Sequence, residues 1–524
     1  MQRQFVTNLI ILLFLNLLIK PFWILVIEPN VQNAVGNAAY GEYFALFNFS
    51  FLLNILLDFG ITNFNNKNIA QNNHLLTKHF SGLFVLKLLL AVLYIIATII
   101  IGLTIGYDTR LTKLLLVLGF NQFLISLVLY LRSNLQALHL FKTDALISVL
   151  DRIIMIGIVS VLLWTTWVDN VMDIMDFVYA QTIGYFLTAI IAFLAVIGKM
   201  ELIRLKWDWP FSLMILKKSF PFAVLVLLMT FYNRIDSVML ERLMPQGDPV
   251  AVARLQELRK PGMELNDSQK VERHQLEDKL EHTGSEQAGV YAKAYRLLDA
   301  TNMIAYLFSV LLLPMFSRML KHKESVEQLV KLAFTLLITL AVVVAVGCAF
   351  YRFEIMKLLY SENSGGSVNT VFPLLMSCFV VISTTYVFGS LLTANGNLKE
   401  LNWMAFCGMV INIGLNVVFI TVFEWEAIGT AISSLVTQLL TAVVQVLIVR
   451  RKFKFRVNWR LLTTLVVYAA GVIALADFCY EYVYHPGKLG WVTGFIIYCA
   501  GSVAWAFATR LISIKGMFRI LKYG

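Results

Sequence analysis

Charged side chains inside long apolar stretches are the residues of this chain whose types could support chemistry. A charge at mid-bilayer depth is costly, so such a residue usually faces a water-filled cavity or an oppositely charged partner. Bases outnumber acids in this set, which favours binding of an anion, and an arginine guanidinium can hold two phosphate oxygens at once. The set consists of Lys20, Asp58, Lys87, Asp151, Arg152, Arg234, Asp236, Lys293, Arg296 and Asp299.

The elements that must position these residues are transmembrane helices. Hydrophobic residues make up 59% of the 524 residues and charged residues 14%, and the mean hydropathy is +0.74, which excludes a soluble globular protein. About fourteen apolar segments each have roughly the 20 residues that cross a bilayer as a helix, and they lack the alternation of β-barrel strands. The predicted segments are 5–27, 41–60, 81–106, 112–131, 145–166, 174–197, 213–240, 288–313, 328–350, 371–394, 402–423, 426–449, 460–482 and 489–512.

The short loops between the segments differ in charge. Lys and Arg concentrate on every second loop and are sparse on the others, and positively charged loops stay in the cytoplasm. This pattern predicts a multi-pass plasma-membrane protein with both termini cytoplasmic. The net charge of +11 is explained by this topology and by attraction to anionic lipid, so we expect no nucleic-acid partner. The five cysteines and seven histidines show no metal-ligand spacing, and we expect no cofactor or metal.

Residues 244–287 form a polar insert on the predicted outer side. Pro261 and Gly262 interrupt it, and Asn266-Asp267-Ser268 is a typical start for a second helix that runs to about Leu280. The insert is therefore predicted to form two short exported helices. It is interpreted either as a tolerated surface insertion or as a segment that shields the outer mouth or contacts a partner.

The segments repeat along the chain. The second predicted segment opens with Gly41 and Tyr43, and the eighth opens with Gly289 and Tyr291 in the same spacing. Two halves of six helices are expected, related by a pseudo-two-fold axis along the membrane normal, as in transporters whose substrate path lies between the halves. The predicted domains are an N-terminal six-helix lobe at 1–212, a C-terminal six-helix lobe at 213–450 that carries the insert, and a final helix pair with a basic cytoplasmic tail at 451–524.

Motifs along the whole chain, except for the insert, carry a family resemblance. They are Tyr40-Gly41-Glu42-Tyr43, Leu57-Asp58-Phe59-Gly60, the run 136–142, Pro221 with Arg234-Ile235-Asp236, and the run 289–295 with Pro314. In this order they resemble the polysaccharide flippases of the multidrug/oligosaccharidyl-lipid/polysaccharide exporter superfamily. The resemblance implies a carrier, not an enzyme. Its cargo would be a lipid-linked oligosaccharide, typically on undecaprenyl pyrophosphate. It would cross to the outer leaflet of a bacterial inner membrane for O-antigen, lipopolysaccharide or other surface polysaccharide synthesis, with a polymerase or glycosyltransferases as partners.

A pyrophosphate cargo assigns roles to the buried charges. Residues are counted at 1.5 Å each, from the predicted cytoplasmic end for two bases and from the predicted outer end for two others. The count puts all four at a similar level in the outer half of the membrane, where they would form a phosphate-binding ring. These four are Lys20, Arg234, Lys293 and Arg296. Arg152, nearer the middle, would receive the same phosphates when the cavity faces inward. Asp236 or Asp299 is the candidate carrier of a coupling ion.

Other readings of the same charges remain open. Lys20 and Lys87 would snorkel to headgroups if they lie near helix ends. Arg152 would be neutralised if it paired with Asp151 or Asp58, although adjacent residues do not share a helix face. Arg234 has the same alternative with Asp236. Asp58 is expected to cap a helix or pair near the cytoplasmic end of its segment.

Two other function classes also remain open. A cation-coupled drug exporter of the same superfamily should carry acids in the cavity of the first or seventh segment, whereas the first segment has Lys20 and no acid before Glu28, where it is predicted to end. A membrane enzyme acting on lipid-linked sugars should have a carboxylate or histidine cluster in an exported loop. The acids of the insert form no recognisable site of that kind.

Overall fold

The computed structural model describes residues 15–16, 18–62, 75–138, 140–164, 172–199, 209–258, 266–281, 283–360, 366–455, 458–483 and 490–511. Its regular structure is helical, and no strand occurs among these residues. The predicted all-α membrane architecture is therefore confirmed. The described residues separate into two compact units, 1–289 and 290–524. The domain boundaries drawn from the sequence remain predictions.

The first unit contains nine α-helices and part of a tenth in its described residues. Helical residues 18–22 lead into a π-helical turn at Trp23–Ile27. The helices are α1 Glu28–Val35, α2 Asn37–Leu52, α3 Leu75–Ile105, α4 Thr109–Ala137, α5 Phe141–Trp164, α6 Ile174–Ile197, α7 Trp209–Leu243, α8 Pro249–Leu258, α9 Asp267–Glu281 and the beginning of α10, Gly284–Lys321. Within this unit α6 packs on α4 and α5, and α2 packs on α4 and α7. Arg152 on α5 and Arg234 on α7 thus lie on helices that are connected through the packing of α6, α4 and α2.

The second unit continues α10 and adds seven helices in the described residues. They are α11 Glu327–Phe350, α12 Arg352–Tyr360, α13 Val368–Ala394, α14 Leu398–Val417, α15 Glu426–Phe453, α16 Trp459–Phe478 and α17 Gly490–Ala508. Helix α13 packs between α11 and α15, and α16 and α17 pack on α11 and on each other. The short helix α12 lies between two predicted segments and was not expected from hydropathy, because its nine residues carry two bases and an acid.

Eleven helices of the described residues are long and apolar enough to cross a membrane. Their bounds follow the predicted segments closely, and the segment predicted at 174–197 coincides with α6. The predicted segments 5–27, 41–60 and 288–313 are not among the eleven. Residues 5–14 and 17 of the first lie outside the described residues. The count of fourteen therefore remains a prediction.

The sequence predicts that the first segment ends at Glu28-Pro29, but in the structure the helical path continues beyond these residues. The amide of Glu28 donates to the carbonyl of Trp23 through the π-helical turn, and the chain continues as α1 with Pro29 in its first turn. Proline is tolerated there because the first amides of a helix have no partner within it. The break comes at Gly36, whose φ of 86° favours glycine. Glu28 thus belongs to a continuing helical path.

The insert forms two helices, α8 and α9, as predicted. Ala251, Leu255 and Leu280 pack together between them. The side chain of Asn266 accepts from the amide of Gln269 at 2.8 Å, while the side chain of Gln269 accepts from the amide of Asn266 at 3.1 Å, which is a capping box. The predicted helix start is confirmed. The Pro261-Gly262 break lies outside the described residues.

We expect the Asn266→Ala variant to destabilise α9 by about 1 kcal/mol, because the first-turn amide of Gln269 loses its acceptor. Hydrogen exchange of the α9 amides in the full-length protein should accelerate accordingly. Asn266→Asp, which keeps an acceptor oxygen, is the matched control and should leave exchange nearly unchanged. Equal exchange in the Ala variant and the natural protein would contradict the capping role.

Candidate anion-binding site

Arg152 lies on α5 between two aromatic rings of the first unit. Its guanidinium carbon is 5.4 Å from the ring centroid of Trp23 and 5.8 Å from that of Tyr185. The contact with the neighbouring Asp151 is long, at 3.7 Å from Nε to Oδ2. Adjacent helical residues point in different directions, which explains the poor geometry. The rings thus enclose a guanidinium whose own carboxylate neighbour compensates it weakly.

A second arginine of the same unit shows what full compensation looks like. Arg132 Nε donates to Asp144 Oδ1 at 2.7 Å, and Arg132 Nη2 donates to Oδ2 at 3.4 Å. The side chain of Gln136 also donates to Asp144, at 3.0 Å. A guanidinium carries five N–H donors, and at Arg152 only Asp151 lies within ion-pair distance among the described carboxylates. Arg152 therefore retains donors for an anionic ligand.

Lys20 lies within electrostatic range of Arg152. The charges that act on the Lys20 ammonium include those of Arg152, Asp151 and Arg132, so two candidate bases of the predicted site share one electrostatic environment. Like charges repel each other, and a bound anion would offset that repulsion. We call Lys20, Trp23, Asp151, Arg152 and Tyr185 the Arg152 cluster.

Glu28 is a member of this region that sequence reasoning missed as a functional residue. Its carboxylate accepts from Trp23 Nε1 at 2.7 Å and from the Tyr40 hydroxyl at 3.3 Å, and its charge acts on Arg152. The sequence predicts that the first segment ends at Glu28-Pro29. No residue pattern marks Glu28, because its place on a continuing helix depends on the π-helical turn at Trp23–Ile27.

Arg234 is a second candidate arginine of the first unit, and it lies on α7 against α2. Its Nη1 donates to Asn48 Oδ1 at 3.4 Å, and its guanidinium carbon is 5.4 Å from the Phe51 ring centroid. The Asn48 amide in turn donates to Ser237 Oγ at 2.8 Å. Asp236, two residues further along α7, is buried. These polar residues hold α2 and α7 together at the position of Arg234.

Lys293 and Arg296 lie on the part of α10 that belongs to the second unit. The Lys293 ammonium is 5.4 Å from the Tyr360 ring centroid, and the Tyr360 hydroxyl donates to the Lys293 carbonyl at 3.2 Å. Arg296 Nη1 lies 3.9 Å from Asp299 Oδ2, one turn further along the helix. The structure thus brings Lys293, Arg296 and Asp299 together on one helix. The ring of four bases spans both units and remains a prediction.

Lys87 does not snorkel, which corrects one of the expectations. Its ammonium donates to Asp58 Oδ1 at 2.5 Å, to Ser126 Oγ at 2.9 Å and to the Leu57 carbonyl at 3.3 Å. Asp58 also accepts from the amide and hydroxyl of Thr62, so its predicted role in capping and pairing is confirmed. The pairing with Lys87 occupies the carboxylate that had been considered as a counter-charge for Arg152.

Two further ion pairs lie at the predicted outer end of the first unit, and the sequence did not predict them. Arg110 Nη2 is 2.7 Å from Glu42 Oε2, and Arg242 Nε is 2.8 Å from Glu241 Oε2. The Arg242 guanidinium carbon lies 3.8 Å from the Tyr107 ring centroid.

Among the described residues, no group of three His, Cys, Asp or Glu side chains is placed to hold a metal ion.

Comparisons with known proteins agree with the helical architecture. No curated protein sequence matches the chain. Among solved structures, the lipid II flippase MurJ in an inward closed conformation has a TM-score of 0.67 and 13% identity over 96% of this chain and 99% of that chain. A multidrug resistance MATE family transporter of the MOP superfamily, inward-facing, has a TM-score of 0.59 and 15% identity over 82% and 94%. At such identities the likeness shows a shared fold.

Family models give a more specific result. One model, described as polysaccharide biosynthesis protein, matches residues 5–320, and a second with the same description matches residues 281–369. The first match covers more than half of the chain and includes the Arg152 cluster. The chain therefore belongs to the polysaccharide biosynthesis protein family.

Proposed function

We propose that this protein is a flippase that moves a polyprenyl-pyrophosphate-linked oligosaccharide from the cytoplasmic to the outer leaflet of a bacterial plasma membrane. The cargo serves surface polysaccharide synthesis, of which O-antigen is the specific case suggested by the sequence resemblance. Translocation proceeds by alternating access and makes or breaks no covalent bond. The membership in a polysaccharide biosynthesis family and the fold shared with a lipid II flippase support this proposal.

The observation that carries the proposal is the Arg152 cluster. A guanidinium in a low-dielectric interior binds phosphate oxygens strongly, and its planar fork suits two oxygens at once. The rings of Trp23 and Tyr185 hold the guanidinium in place, while Lys20 supplies a second positive charge. A pyrophosphate offers charge enough for both bases, and its sugar and lipid ends can extend in opposite directions from it.

We expect the Arg152→Ala variant to lose most of its export activity. Hydrogen bonds to a charged group contribute about 1.5–3 kcal/mol each, so losing one lowers cargo affinity roughly tenfold to a hundredfold. Arg152→Lys keeps the charge without the fork and should be intermediate. The measurement is surface glycan on cells whose only copy of the protein is the variant, normalised to the amount of protein in the membrane.

Arg254→Ala is the matched control for this experiment. Arg254 is an exposed arginine of the insert, paired with Glu272 at 2.9 Å, and its loss should leave export unchanged. Arg234→Ala and Arg296→Ala test the outer part of the predicted ring in the same assay. Normal export by Arg152→Ala at a normal protein level would remove the cluster from the cargo path.

A cation-coupled multidrug exporter is the second candidate, and Glu28 is the observation that favours it. The buried carboxylate lies on the helical path of the first segment beside Trp23 and Tyr40, and acids with aromatic rings can bind organic cations. If the protein is such an exporter, it should show energy-dependent efflux of a fluorescent cation, and the Glu28→Gln variant should lose this efflux. The flippase proposal expects no such efflux and a loss of surface glycan in Arg152→Ala.

A further inference from the structure

A groove lies on the surface of the second unit between α14 and α15. Its volume is about 580 Å³. Its walls are apolar over most of their length, with Trp403, Cys407 and Ile411 from α14 and Leu440, Val444 and Ile448 from α15. Both helices qualify as membrane spans. The groove therefore opens onto lipid, and its volume can accommodate a hydrocarbon chain.

One end of the groove is charged. Lys399 and Glu400 line it where α14 begins. The Glu400 carboxylate is occupied, because Lys452 lies 2.7 Å from its Oε1 and Asn397 donates to the same atom at 3.1 Å. Lys399 is exposed and has no carboxylate partner among the described residues. Arg450 and Arg451 do not line the groove but lie on the last turn of α15, which reaches this end because Lys452 pairs with Glu400. Both arginines are exposed and have no carboxylate partner in the part of the chain that the structure describes. The charged end thus carries an excess of positive charge.

We propose that this groove binds an anionic phospholipid of the surrounding bilayer, with one acyl chain along the apolar walls and the headgroup phosphate at Lys399, Arg450 and Arg451. Basic residues where membrane helices meet the cytoplasmic surface attract anionic headgroups, and this end of α14 and α15 is predicted to be cytoplasmic. Charge complementarity selects the lipid class, while the groove fixes its position. The site is separate from the cargo residues proposed above.

A second groove of the same unit provides a control. It lies between α16 and α17, has a volume of about 550 Å³, and is lined by residues that include Gly471, Leu475 and Trp505. None of its lining residues is charged. Each groove thus contains one tryptophan, Trp403 or Trp505, and charged residues line only the first.

Quenching by brominated lipids tests the proposal with the full-length protein in vesicles. Brominated phosphatidylglycerol or brominated phosphatidylcholine is titrated into the bilayer, and the Trp403 signal is the difference between the natural protein and Trp403→Phe. Trp403 should be half quenched at a mole fraction of phosphatidylglycerol roughly threefold lower than that of phosphatidylcholine. Trp505, isolated in the same way with Trp505→Phe, should respond equally to both lipids.

Two variants separate the headgroup from the acyl-chain part of the site. Replacing Lys399, Arg450 and Arg451 together by Gln should abolish the preference for phosphatidylglycerol at Trp403. Cys407→Phe, at an exposed wall position, should fill the groove and weaken the quenching of Trp403 by either lipid. Unchanged quenching of Trp505 in both variants would show that the fold is retained.

Three results would overturn the proposal. The first is equal quenching of Trp403 by the two lipids, and the second is a preference that survives the triple Gln substitution. The third is recovery of Trp403 fluorescence by unlabelled polyprenyl pyrophosphate at a concentration where unlabelled phosphatidylglycerol has no effect. That result would assign the groove to the cargo instead of to a bilayer lipid.

Discussion

Asp58→Asn is expected to lower the free energy of unfolding by about 3–5 kcal/mol, the cost of leaving a buried charge without its counter-charge. The Lys87 side chain is 2% exposed, so water cannot replace the lost carboxylate. Ser126 Oγ and the Leu57 carbonyl would still accept from the ammonium, but neither carries a charge. The change can be measured by titrating the purified protein in mixed micelles with a denaturing detergent and following helicity.

Replacing Lys87 instead of Asp58 should lower the free energy of unfolding by less, because the two partners are not equally buried. Asp58 is 26% exposed and retains its bonds from Thr62, so Lys87→Met leaves a carboxylate that water can reach. Combining Lys87→Met with Asp58→Asn should recover much of the stability lost in Asp58→Asn alone, since both charges are then gone. Additive losses in the double variant would mean that the two residues do not interact.

This pair shows where prediction from the sequence stops. Hydropathy located Lys87 inside a membrane segment, but it could not supply a partner, because Asp58 is 29 residues away along the chain. The contact depends on how α2 ends, with a 3₁₀ turn at Asn54–Leu57 and positive φ at Phe59 and Gly60. Such local backbone geometry has no signature in hydropathy.

Helix positions were predicted far better than contacts, for a physical reason. A membrane helix needs only a long enough apolar run, so α6 and the two helices of the insert could be placed from composition and capping residues. The Arg152 cluster was predicted in part: Lys20 and Arg152 were candidates, whereas Glu28 was not. Its inclusion depends on a π-helical turn that carries the chain past Pro29, and π turns are not readable from residue types.

Gly41→Ala is expected to be among the most destabilising single substitutions in the first unit. A Cβ atom at Gly41 would lie 2.6 Å from the Gly289 amide nitrogen and in collision with the Ser285 carbonyl oxygen. A Cβ at Gly289 would lie 2.8 Å from the Asn37 carbonyl carbon. The two glycines that the sequence repeat paired therefore meet at one crossing of α2 and the start of α10. Backbone atoms cannot rotate away as a side chain can, so the helices must separate.

We expect Gly41→Ala and Gly289→Ala each to cost about 3 kcal/mol, the upper part of the usual range for overpacking. Gly157→Ala in α5 is the matched control, because a Cβ there meets nothing within 4 Å. Alanine at Gly157 should stabilise the helix by about 0.5–1 kcal/mol. The same detergent titration measures all three variants. If Gly41→Ala were as stable as Gly157→Ala, α2 and α10 would have to be further apart than the structure places them, and their close approach would not be part of the fold.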